Sequence, residues 1–219
     1  MYLPPAFKLE PLASLHEVMR GCPLATLVTR SGDRIVADPI PFLLDAERGE
    51  HGVLRAHVAR ANPLWREHPP GAEALLIFNG PNHYISPSWY ATKRETGKVV
   101  PTWNYVAVHA HGPLRVIDDP AWVLQQITDL TALHEADRAP PWAVAEAPAE
   151  FIAAQLQAIV GIEIAIARIE GKQKISQNRS RADREGVIEG LTASPGEQAR
   201  AMAARVAQAL QQSPPDKNH

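Results

Sequence analysis

Cysteine occurs once in 219 residues, at Cys22, so the chain can form no internal disulfide, and a small buried hydrophobe is the expected role of that residue. A cationic excess is missing as well: the formal charge is −2, which argues against a chain built mainly to coat nucleic acid. No apolar run approaches the ~20 residues that span a bilayer, and the opening MYLPPAFKLE lacks the basic start and apolar middle of a secretion signal. A cytoplasmic protein with no membrane partner is expected. Nucleophile elbow, P-loop and dinucleotide fingerprint are all absent, so hydrolase and nucleotide-hydrolysing chemistries lack their parts and no catalytic residue is assigned.

What is present is material for a core. Hydrophobic residues make up 45% and charged residues 21%, the balance of a globular chain with one sizeable domain. Pro4 and Pro5 hold the start as an extended arm. Ser14 and Glu17 have capping-box spacing, which predicts a short helix to about Arg20, ended by Gly21 and Pro23. Two β-like runs, Leu24 to Thr29 and Arg34 to Leu44, are separated by a Ser31-Gly32-Asp33 turn. Pro39 and Pro41 in the second run predict an edge strand or an irregularity. GVLRAHVA and ALLIFNG continue the succession, joined by a short helical link with Pro63 and Trp65. Asp119 and Pro120 predict a helix to about His134, the proline-rich link from Arg138 to Pro148 a loop, and Glu150 to Ile159 another helix. IEIAIARIEG alternates as one strand; Asp183 to Leu191 and Pro195 to Leu210 are predicted helical, with a frayed tail beyond Gln211. The fold class is therefore mainly β with flanking helices (α+β), an antiparallel barrel or sandwich.

Chemistry concentrates in three places. The stretch from His83 to Gly112 predicts a strand, a polar hairpin over ATKRETGKV, and a second strand. In that second strand Trp103, Tyr105, Ala107, His109 and His111 share one face, with Asn104, Val106, Val108 and Ala110 buried on the other. Rings with polar handles suit a planar ligand with hydrogen-bonding edges, though Trp and Tyr are also ordinary sheet residues. At the end of GVLRAHVA, His57, Arg60 and Asn62 form a corner where a guanidinium fork and free backbone donors suit a phosphate. From Lys172 to Arg184 five cations face one anion, and Lys172 to Arg179, with one apolar side chain, is expected to be a solvated loop or a ligand clasp rather than core. His83, His109 and His111 lack a carboxylate or cysteine at ligand spacing, so no metal site is assigned.

Four segments in order, HVARANPLW, YISPSWY, VVPTWNYVAVHAHG and GKQKISQNRSRADREGVIEGL, resemble the PaiB-type family of FMN-binding negative transcriptional regulators. That family is similar to the pyridoxamine-phosphate-oxidase-like flavin proteins. The resemblance implies an FMN-binding split β-barrel domain over residues 1–191, followed by a C-terminal helix and tail over 192–219, and a homodimer with flavin between subunits. It matches His57, Arg60 and Asn62 to the segment holding phosphate and ribityl groups, Trp89, Lys93, Trp103 and Asn104 to the pocket wall, and Lys174, Ser176, Gln177 and Arg179 to the C-terminal motif. Ala59 and Ala61 flank Arg60 where many flavin split barrels carry Ser or Thr. The implied function is negative regulation of transcription, with DNA as a partner that the charge supports only weakly; the alternatives are a flavin-dependent oxidoreductase and a haem-binding split barrel.

Overall fold

A computed structural model describes residues 1–212; the tail expected to fray lies outside the described residues. The strands are β1 Leu24–Ser31, β2 Arg34–Pro41, β3 Leu43–Asp45, β4 Val53–Ala59, β5 Glu73–Ile85, β6 Thr102–Ile117, β7 Ile159–Ala165 and β8 Arg168–Lys174. The helices are α1 Leu12–Gly21, α2 Leu64–Glu67, α3 Thr92–Thr96, α4 Pro120–Glu135, α5 Ala149–Gln157, α6 Arg181–Ala193 and α7 Glu197–Gln211. They fall into two compact units. The first takes Met1–Pro11, Asn79–Val108 and the chain from Glu170; the second takes Leu12–Phe78 and His109–Ile169.

The second unit holds the strand order β2-β1-β5-β6-β7-β4-β3, using the first half of β5 and the last half of β6. Its registers are antiparallel, which a two-residue link requires for the β1–β2 hairpin. β1 and β2 form a hairpin in which Ser31 faces Arg34, and Gly32 at φ 59° opens the two-residue turn. Pro39 and Pro41 sit on β2 at the end of the order, where a missing N–H costs no ladder bond, and the second β-like run breaks at Phe42 into β2 and β3. Ala25, Leu27 and Thr29 alternate into the core. Glu163, buried on β7 opposite Arg55 and Arg115, receives Arg48 at 2.9 Å and Arg115 at 3.2 Å, so its charge is paired twice over. Asp119 caps α4 as expected, accepting from the Ala121 N–H at 2.9 Å.

Two expectations change here. α1 starts at Leu12, directly after Pro11, so Ser14 lies inside the first turn and caps nothing. The alternating run IEIAIARIEG is two strands: the Ile166 and Ala167 amides leave the ladder to bond the Gly52 and His111 carbonyls, and β8 starts at Arg168.

In the first unit the predicted strand, hairpin, strand pattern over His83 to Gly112 is also corrected. β5 ends at Ile85; Ser86 accepts from the Ser88 N–H and Pro87 opens a single 3-10 turn to Trp89. The polar stretch is a helical turn, α3, which Gly97 stops at φ 65°. β6 follows with the expected alternation: Asn104, Val106 and Val108 are buried, and Trp103 is 54% exposed. The Lys172 to Arg179 segment is partly core after all. Lys172, Ile175 and Ser176 are buried, because the first half of the segment belongs to β8, which pairs with β6, and the N-terminal arm lies along it through Leu9 N–H to Gly171 O at 2.9 Å. Ser180 caps α6, and α6 and α7 bury Val187 and Leu191 with Met202 and Val206.

Candidate functional site

The first unit contains a cavity of about 300 Å³ between the start of β6, the end of β8 and the N-terminal arm. Phe7, Val100 and Pro101 give it apolar walls; Tyr90, Thr102, Asn104, Lys174, Ser176 and Arg179 give it donors. No carboxylate lines it. Asn104 is fully buried, and its amide donates to the Ser176 hydroxyl at 2.9 Å. Lys174 donates to the Thr102 hydroxyl. Ser176 has φ 63°, and among the described residues it is the one non-glycine with positive φ; such strain gathers at ligand clamps. The turn is held by Gln177, whose side chain accepts from Ile175 N–H at 2.8 Å and donates to Ala6 O at 3.0 Å.

Tyr90 completes this cluster, and no sequence pattern singled it out. It is 2% exposed, the Arg179 guanidinium lies 4.9 Å from its ring centroid and near enough to its oxygen to interact with it, and the hydroxyl has no partner in full hydrogen-bond geometry among the described residues. Burial pushes the phenol above its ordinary value; Asp183 adds to that and Arg179 opposes it. The hydroxyl therefore stays protonated and able to donate at neutral pH.

Tyr90 also borders a second cleft in the same unit, of about 450 Å³, with Trp89, Arg94, Glu185 and Glu189. Trp89 is seated against Gly186 and Gly190 of α6, and α3 is tied to α6 by the Asp183 carboxylate, which accepts from Thr92 N–H and hydroxyl, each at 2.9 Å. Lys93 donates to Ser88 at 3.1 Å, on the surface. Of the eight predicted residues in this unit, Asn104, Lys174, Ser176 and Arg179 meet at one cavity, Gln177 braces its turn, Trp89 borders the second cleft, and Trp103 stands out with Tyr84 in an edge contact at 6.2 Å.

His57, Arg60 and Asn62 lie in the second unit, and each has a partner there. Arg60 forks onto Asp118, at 3.0 Å through Nη1 and 2.5 Å through Nη2, and also bonds the Gln157 and Ile159 carbonyls. That hydrogen bond holds the Asp118 carboxyl below the ordinary range and raises the guanidinium. His57 pairs with Gln126 at 2.8 Å, and Asn62 accepts from Leu64 N–H at 2.9 Å to start α2. His111 is likewise engaged, with Arg168 at 3.0 Å and Glu73 at 3.4 Å.

Residues 1–168 match the family described as "Putative FMN-binding domain". The chain is 36% identical over 226 residues to the uncharacterized protein AN0679 of Emericella nidulans, covering 87% of this chain and 90% of that protein. It is 30% identical over 203 residues to the protease synthase and sporulation protein PAI 2 of Bacillus subtilis, covering 93% and 95%. Among solved structures, the FAD and heme binding protein from Mycobacterium smegmatis superposes with a TM-score of 0.56 at 18% identity, over 76% of this chain and 73% of that one, which shows a common fold. Among the described residues no helix is long and apolar enough to cross a membrane. The chain belongs to the PaiB-type family of FMN-binding proteins and shares the split-barrel fold of their flavin-binding relatives.

Proposed function

We propose that this protein is a homodimeric FMN protein acting in negative regulation of transcription, with Asn104, Lys174, Ser176 and Arg179 as the core of its flavin contacts. The carrying observation is their cavity: two cations and several neutral donors around apolar walls, with no carboxylate, matches a ligand that joins an apolar ring system to a phosphate. At about 300 Å³ it lies at the small end of ligand pockets, so it would take part of the flavin. The exposed Trp103 and Tyr84 supply aromatic surface for the remainder or for a second copy of the chain. His57, Arg60 and Asn62, which the resemblance matched to phosphate and ribityl contacts, lie in the second unit with partners of their own, Arg60 forked onto Asp118, and they are not counted among these flavin contacts.

When bound, FMN supplies electron transfer; the chain's own residues bind the cofactor, orient it and shield it from water. Regulation through a ligand pocket suits this chain better than a broad DNA-coating surface. Buried Lys172 donates to the Tyr2 carbonyl and lies within about 5.5 Å of the Tyr2 and Tyr105 ring centres, and Arg181 is paired with Glu185 at the surface, so part of the basic run already has partners. The test pairs two measurements. Purified protein should take up one FMN per chain by fluorescence titration, and deleting the gene should raise a set of transcripts that the wild type, but not a flavin-free variant, restores. Failure to bind flavin removes the cofactor role; an unchanged transcript profile removes the regulatory one.

A further inference from the structure

We infer that the cavity bounded by Tyr90, Thr102, Lys174, Ser176 and Arg179 is an oxyanion site, taking a phosphate or carboxylate group, with the Tyr90 hydroxyl as a donor held ready for it. The inference deepens the proposed flavin site and rests on that reading only for the source of the anion. A buried hydroxyl without a partner forfeits its hydration with nothing in return, so such a group in a folded chain calls for a reason. Here the reason is local. Tyr90 lines a cavity whose other polar groups can all donate, though its hydroxyls and amides can accept as well, and both charges at its wall, Lys174 and Arg179, are positive. Neither cation forms an ion pair among the described residues: Lys174 meets a threonine hydroxyl and Arg179 covers an aromatic ring. The nearby carboxylate, Asp183, is already bonded twice to Thr92. Two cations without an ion pair among the described residues, two hydroxyls and the Tyr90 ring thus line one space, and the phenol hydroxyl is buried beside it without a partner, an arrangement that an oxyanion satisfies and a cation does not. Burial raises the phenol's affinity for its proton, which keeps it a donor across the physiological range.

The two sources of such a group are the phosphate of the flavin itself and a separate small anion beside it. Wild type, Tyr90→Phe and Lys174→Met are titrated with FMN, with riboflavin, which lacks the phosphate, and with inorganic phosphate, while thermal melting reports stability. If the flavin phosphate occupies the site, wild type prefers FMN to riboflavin, phosphate competes with FMN, and both variants reduce the preference about tenfold or more, the effect of losing one charge-assisted bond. If a separate anion occupies it, phosphate raises the wild-type melting temperature without competing with FMN, and both variants abolish the rise. Tyr90→Phe removes the orphan hydroxyl, so its melting temperature should hold or increase without ligand, which sets a binding role apart from a structural one. Variants that keep both the FMN preference and the response to phosphate overturn the oxyanion site while leaving flavin binding intact. A wild type that takes up neither flavin overturns the proposed function instead.

Discussion

A guanidinium in a sequence is a fork of five donors, and its role is settled by what those donors meet. Arg60 meets Asp118 and two carbonyl oxygens, one at the end of α5 and one at the start of β7, so in this fold it pins the end of β4. The pair is exposed and its contribution is small, yet its sign is definite. The Asp118 carboxyl is depressed by Arg60, so the stabilisation is complete above the ordinary carboxylate value and is lost as pH falls through the lowered one. Asp118→Asn should therefore flatten the acid limb of a melting-temperature against pH curve, and Arg60→Ala should add nothing further in the double variant. An acid limb identical to wild type would remove the pair from the account. Residue by residue, the alternation along β6 made Asn104 legible as a buried polar side chain behind Trp103. Tyr90 was not legible, because its importance comes from a missing partner, and a missing partner is a property of the packed chain.

Elements were legible where local chemistry decides them. The Asp119-Pro120 start of α4 and the Gly32 turn follow from backbone geometry that the residue type imposes. The stretch after Ile85 misled because SWY has strand-like composition, while Ser86, Pro87 and Gly97 impose a 3-10 turn and a short helix. That turn exists to present Trp89 to α6, and the glycines of α6 are shaped around it. A Cβ at Gly186 would lie 2.0 Å from the Trp89 carbonyl oxygen, and one at Gly190 would lie 2.2 Å from the indole. Alanine in a helix interior gains about 1 kcal/mol over glycine. Overpacking costs about 1–3 kcal/mol, so the clash should win. Gly186→Ala is expected to be the worse, because a backbone carbonyl cannot swing aside as a ring can. Urea unfolding followed by tryptophan emission should show both midpoints lowered, Gly186→Ala more; midpoints at or above wild type would mean that α6 is not docked on this turn.

For the whole molecule, the chain visits each compact unit more than once, with β5 and β6 running from one into the other. Unit membership of this kind is invisible to a linear reading, because it depends on which distant segments pack together. The split barrel itself was legible, because four motifs in order fix a family more firmly than any single one. Assembly is the property to test at this scale: light scattering after gel filtration should give twice the chain mass, with dissociation on dilution suppressed by FMN. A monomer with and without FMN would exclude flavin binding between two copies.

The N-terminal arm forms part of the cavity wall: Phe7 borders the space, Ala6 is gripped by Gln177, and Leu9 is bonded to β8. Whatever fills the space must consequently make the arm harder to peel away, by the same free energy that a peeled arm would subtract from its affinity. Cleavage of the first few peptide bonds by a dilute protease thus becomes an occupancy meter, one that works for colourless compounds as well as for yellow ones.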